Sequence, residues 1–223
     1  MPSALLRAVL ATTGAVVVAS SLTPVGAQWP FPTTRVLTAW TCDRGIDSFP
    51  YDGVFDSVFG ADVCSLFTPP AGVPGSEERP AVEFRTYSRL QQIPIPLQTQ
   101  FSSAQLVLTP ASGPAGNLGL ASDEAVEFWA YIGDGVITVD DLSQTGKIKA
   151  GTLAGPTDDG VVTVPLSPKA LTKLYATLNA KADPKFLGLM VKGVPGASSV
   201  AMAFASTYSG VPLANRPKLK LQF

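Results

Sequence analysis

VVTVPLSPKALTKLYATLNAKADPKFLGLMVKG (Val161–Gly193), then VAMAFAS (Val200–Ser206) and RPKLKLQF (Arg216–Phe223), are the stretches that decide how this chain folds. Ser167 followed by Pro168 is a helix start: a hydroxyl N-cap, then proline at the first position, where no N–H is needed. Leu171, Leu174, Tyr175 and Leu178 fall at i, i+3, i+4 and i+7, one apolar stripe, with Lys169, Thr172, Lys173 and Thr177 opposite. Pro184 ends that helix by or before Asp183. Phe186–Val191 is an unbroken apolar run of strand length, the signature of a central strand. Val200–Ala205 alternates small and apolar residues. In the last strand Leu219, Leu221 and Phe223 point one way, and Lys218, Lys220 and Gln222 the other.

Working upstream, Arg35–Thr41, Ala81–Tyr87, Ser103–Thr109 and Ala125–Ile132 read as further strands. Val82 and Phe84 share one face, as do Val126, Phe128, Ala130 and Ile132. Glu127, Trp129 and Tyr131 share the opposite one. Thr68–Ser76, Pro110–Gly119 and Gly151–Gly160 read as loops. Ile93-Pro94-Ile95-Pro96 is extended but cannot sit in a central ladder. About eight to ten strands separated by turns, with one clear amphipathic helix, predict a mainly β protein: an antiparallel sandwich.

Met1–Arg7 is a short basic start, Ala8–Ala19 an apolar run of signal-peptide length, and Val25-Gly26-Ala27 a small-residue cleavage site. Residues 1–27 thus read as a signal peptide, and 28–223 as one domain with a proline-rich lead-in over Gln28–Thr34. No later run approaches a bilayer-spanning length, so no integral span is expected in the mature chain. The formal net charge is −1, with no basic stripe for nucleic acid. Histidine is absent, which excludes Ser-His-Asp and Cys-His catalysis and imidazole metal sites. The two cysteines, Cys42 and Cys64, follow an export signal, and an even count in an oxidising compartment predicts one disulfide.

Between those cysteines lie five aspartates, Asp43, Asp47, Asp52, Asp56 and Asp62, with glycines and Pro50 and a single arginine. This segment reads as irregular chain pinned by the disulfide. Hard oxygen ligands at that density suit Ca²⁺; capping of turns is the other use of such side chains. Gly133–Leu142 looks like half of an EF-hand loop. The register that places Gly135 at the loop's glycine puts Ala130 and Ile132 at ligand positions, and neither side chain can bind calcium. A glycine turn followed by a short helix capped at Thr138 is the better reading. Transmembrane barrel strands need roughly ten alternating residues each, longer than most strands here.

Several patches, in order, resemble the DNRLRE-type domain of secreted bacterial proteins, including PEP-CTERM-associated ones. They are Phe55–Gly60, Arg79 with Val82-Glu83-Phe84, Ser102–Leu108, Tyr131–Gly135, Phe186–Leu189, Phe204-Ala205-Ser206 and Arg216–Leu219. The resemblance implies an extracellular jelly-roll β-sandwich similar to carbohydrate-binding modules, some of whose relatives bind acidic glycans.

Three functions are open to such a chain. The first is a secreted, non-catalytic sandwich binding polysaccharide or cell-surface glycan, with Trp129 and Tyr131 as carbohydrate contacts, located outside the cell, at its surface or in the periplasm. The second is a structural, self-assembling surface protein. The third is a polysaccharide lyase or hydrolase, in which paired carboxylates such as Glu83 and Glu127 would do acid–base work without histidine. The sequence leaves the oligomeric state open.

Overall fold

A computed structural model describes residues 34–60, 63–87, 100–111, 116–177, 185–208 and 210–223. Every described residue belongs to one compact unit, Pro32–Phe223. The signal-peptide assignment, the Gln28–Thr33 part of the lead-in, the Ile93–Pro96 run and Leu178 lie outside the described residues.

Strand-forming residues condense into β1 (Thr34–Thr38), β2 (Thr41–Asp47), β3 (Ser57–Gly60), β4 (Val63–Thr68), β5 (Glu77–Tyr87), β6 (Ser103–Leu108), β7 (Ala125–Gly133), β8 (Ile148–Ala154), β9 (Val162–Leu166), β10 (Lys185–Val194), β11 (Val200–Ala205) and β12 (Lys218–Gln222). The helix α1 spans Pro168–Tyr175, and a single 3₁₀ turn covers Val139–Leu142. All strand pairs are antiparallel. The smaller sheet runs β1-β12-β6-β9, and the larger contains β11-β4-β5-β10-β7-β8 with β2 and β3 added at β5. Taken alone, β1-β12-β6-β9 opposite β5-β10-β7-β8 has jelly-roll connectivity: every chain-successive pair among these eight crosses between the sheets except the neighbours β7 and β8. The remaining strands widen the larger sheet.

Alternation builds the core between the sheets. Leu106, Leu219, Leu221 and Val164 from the smaller sheet meet Val82, Phe84, Phe128, Leu187, Leu189 and Val191 from the larger, all at zero exposure. β10 is central, paired to β5 on one side and β7 on the other, which is why Phe186–Val191 is apolar on both faces. The final strand behaves as its pattern predicts: Leu219 and Leu221 are buried, while Lys220 and Gln222 face solvent. In α1 the Ser167 hydroxyl accepts from the Ala170 N–H at 3.2 Å, and Leu171, Leu174 and Tyr175 are buried.

Two segments read as irregular are strands. Cys42–Cys64 holds most of β2, all of β3 and the start of β4, because β5 offers β2 a full ladder from Thr41–Glu83 to Asp47–Glu77. Tertiary pairing overrides the low strand propensity of Asp and Gly here. The Cys42–Cys64 disulfide joins β2 to β4, with Cα atoms 6.3 Å apart, inside the main core. Gly151–Ala154 belongs to β8, not to a loop. A Cβ on Gly151 would lie 2.9 Å from the Pro165 carbonyl oxygen, so close approach to β9 demands the glycine that breaks the alternation. No helix among the described residues is long and apolar enough to cross a membrane.

Candidate functional site

The larger sheet has a second apolar layer on its outer side. Residues between the inward positions of β5, β7 and β10 turn outward: Ala81 and Glu83; Glu127, Trp129 and Tyr131; Phe186, Gly188, Met190 and Lys192. Over part of this face Phe55, Ile137 and Leu142 close down on Ala81, Tyr131 and Met190, with Val58 and Trp129 packed alongside. Phe55 comes from the β2–β3 hairpin, Ile137 and Leu142 from the loop between β7 and β8. That loop turns at Gly135 (φ +98°). Its 3₁₀ turn is capped as expected, the Asp141 carboxylate accepting from both the N–H and the hydroxyl of Thr138 at 2.9 Å.

Trp129 and Tyr131 therefore have different environments. Tyr131 is only 5% exposed; its ring covers Gly188, where any Cβ would collide with it. The Lys147 ammonium sits 4.7 Å from the ring centre on the tyrosine. Burial, then the charge of Glu83, push the Tyr131 hydroxyl up well beyond the usual phenol range. The pair is not a shared exposed platform, because the β7–β8 loop folds over one member. Trp129 stays partly exposed. Its indole N–H donates to Glu127 at 3.0 Å, and the other oxygen of Glu127 accepts from Lys149 at 2.6 Å. Burial raises the Glu127 carboxyl, but the Lys149 and Trp129 hydrogen bonds and the charges of Lys149 and Lys192 outweigh it, leaving a net downward shift. Lys192 donates to Gln144 at 3.1 Å. An indole bonded to Glu127, itself bonded to Lys149, is thus a partly apolar spot with a charged, hydrogen-bonding edge.

Glu83 and Glu127 do not meet. Glu83 pairs in register with Gly188, and Gly188 with Tyr131, four residues from Glu127 along β7. That is about 13 Å along the strand and two strands across. Glu83 is sealed at zero exposure under the β7–β8 loop, its Oε2 accepting from the Gly135 N–H at 2.7 Å. Burial, opposed by that N–H, pushes its carboxyl up to about 7.

The described aspartates of the disulfide loop make local hydrogen bonds. Asp43 accepts from the Thr41 hydroxyl at 2.9 Å. Asp47 is buried and accepts from the Gly53 N–H at 2.9 Å. Burial first, then that N–H in opposition and the charges of Asp52, Asp56 and Glu77, leave its carboxyl raised. Asp52 caps Val54 at 3.0 Å. Asp56 takes the N–H and hydroxyl of Ser48 at 2.8 and 2.5 Å, which lowers its carboxyl. Asp62 lies outside the described residues. Among the described residues no three or more His, Cys, Asp or Glu side chains are grouped as a metal site.

Sequence reasoning passed over two exposed aromatic features. Phe49 is 82% exposed at the β2–β3 tip, edge-on to Tyr51. Trp40 is 53% exposed, with the Arg85 guanidinium 5.0 Å from its ring centre. Phe49 precedes Pro50 in a turn-rich segment, where an aromatic has no strand face to enter; Trp40 carries no such signal, since Arg35–Thr41 reads as one strand but breaks at Ala39-Trp40 between β1 and β2. On the smaller sheet, Thr34, Ser103, Gln105, Lys220, Leu221 and Gln222 line a surface depression. No protein-family model matches the chain, and no curated protein matches it either.

Proposed function

We propose that this chain is an extracellular, non-catalytic jelly-roll module that binds polysaccharide or cell-surface matrix through the outer side of its larger sheet. The observation that carries the reading is Trp129, a partly exposed indole whose N–H donates to Glu127, which in turn accepts from Lys149. Trp combines apolar contact area with a polar handle, and a sugar ring offers an apolar C–H face with hydroxyls at its rim. The ordered resemblance to DNRLRE-type domains and the disulfide support placement outside the cytoplasm.

The test is affinity pull-down and calorimetry against a panel of neutral and acidic polysaccharides. Wild type should bind at least one. Trp129→Ala should lose tenfold or more, on the scale of a buried aromatic contact, while circular dichroism stays native. Trp129→Phe, which keeps the packing against Met190 and Tyr131, should fall between. Absence of binding across the panel would end the proposal. Self-assembly is the second reading, favoured by exposed Phe49, Tyr51 and Val54 at the hairpin tip; concentration-dependent light scattering reduced by Phe49→Ser would support it.

A further inference from the structure

We propose that loop 134–147 is a proton-operated cover, seated on the outer face of the larger sheet while the Glu83 carboxyl keeps its proton and lifted when that carboxyl ionises. The inference does not depend on polysaccharide binding. The cover is held by few, identifiable contacts. Ile137 and Leu142 pack on Ala81, Tyr131 and Met190. The Gly135 N–H donates to Glu83 at 2.7 Å, Arg79 donates to the Leu142 carbonyl at 3.0 Å, and Lys192 donates to Gln144 at 3.1 Å. Glycines at Gly133, Gly135 (φ +98°) and Gly146 (φ +74°) supply pivots near both ends.

The seat is built for a neutral acid. A buried carboxylate needs several donors or a partner cation. Here one oxygen has a single backbone donor, and Oε1 and the Tyr131 hydroxyl are buried without a hydrogen-bond partner. Burial and the neighbouring charges outweigh the two groups that favour ionisation, the Gly135 N–H and the Tyr131 hydroxyl. The loop contributes Asp134 and Asp141, both repelling a charge on Glu83. β7 contributes Tyr131, whose neutral hydroxyl faces the carboxyl and favours its charge, but less than burial and Asp141 oppose it. β10 contributes Phe186, Gly188 and Met190, none charged, and β2 places neutral Thr41 opposite, with Asp43 two residues on. The cations stand elsewhere: Lys147 against the Tyr131 ring, Arg85 over Trp40, and Arg79 bidentate on Glu77 at 2.8 Å.

The sign follows from linkage. Closed, the Glu83 carboxyl is raised from 4.5 to about 7; opened to water it returns toward 4.5. The seated form therefore binds the proton more tightly. Its advantage is complete below 4.5, declines as pH rises, and is gone above 7, a change of up to roughly a few hundredfold in the closed-to-open ratio.

Amide hydrogen exchange of the full chain at pH 5 and pH 8.5, corrected for intrinsic exchange, tests this. Protection over 135–146 should fall at least tenfold at the higher pH, while β6 and β12 keep theirs. Glu83→Gln, neutral at both values, should reduce the fall to under twofold. An equal fall in wild type and Glu83→Gln, or no fall in wild type, overturns the proposal. Should Glu83→Gln fail to fold, a ¹³C-carboxyl titration of wild type decides. A Glu83 midpoint near 7 that moves with the Gly135 amide shift supports the cover; a midpoint below 5 refutes it.

Discussion

Gly133 shows how tightly one side chain can constrain its neighbours. A Cβ there would stand 2.0 Å from Glu83 Oε1 and 2.3 Å from its Cδ. Glu83 has nowhere to retreat, being fully buried beside Tyr131 and Gly135. Gly133→Ala should therefore cost about 1–3 kcal/mol, the usual penalty for overpacking, read as a lower denaturant midpoint. Gly160, with nothing within 4 Å of its would-be Cβ, is the matched control, and Gly160→Ala should stay within about 0.5 kcal/mol. At this scale the sequence announced some roles and hid others. Ser167 as an N-cap and Thr138 as a turn start were legible, because capping is local chemistry. That Tyr131 is covered and Trp129 is not could not be read. Both sit on the same face of β7, and a loop arriving from later in the chain distinguishes them.

Elements were legible where both sheet faces of a strand declare themselves. β6, β7, β10 and β12 carry clean alternation or a continuous apolar run, and all four lie inside their sheets, with neighbours on both sides. β2, β3 and β8 do not, and they lie toward the margins, where Asp, Gly and Thr are tolerated because one face or one edge meets water. The β2–β3 hairpin is thus held chiefly from outside itself, by its ladder to β5 and by the Cys42–Cys64 bond to β4. Cysteine separation of 22 implies about 3 kcal/mol of stabilisation in the chain-entropy model. Replacing both cysteines by alanine should lower the unfolding free energy by that order under two-state conditions. It should also raise amide exchange in the hairpin more than in β6 or β12; equal effects on all strands would argue against a locally pinned hairpin.

At the scale of the whole molecule, the larger sheet is a partition between two unequal apolar compartments. The larger compartment, between the sheets, includes Phe84, Phe128, Leu189 and Leu219 and is what the alternating patterns predict. The smaller one behind it, built on Tyr131, Leu142 and Met190, comes from residues that alternation alone assigns to the outside. This explains why fold class was readable and the candidate face was not: burial on the second side depends on which loops return over the sheet. The binding test on Trp129 belongs to this scale, since the indole occupies the border where that covering stops.

Strand order carries one more implication. β12 lies between β1 and β6 and is bonded to both, yet ribosomes deliver it after the other eleven described strands. Until Lys218–Gln222 emerge, β1 has nothing in its sheet to pair with, and Leu106 lacks Leu219 opposite it. A chain still lacking β12 therefore leaves apolar surface of the smaller sheet uncovered. Truncation after Pro217 should accordingly yield a protease-sensitive product, whereas a compact, resistant fragment would show that the sheet can close without its last arrival.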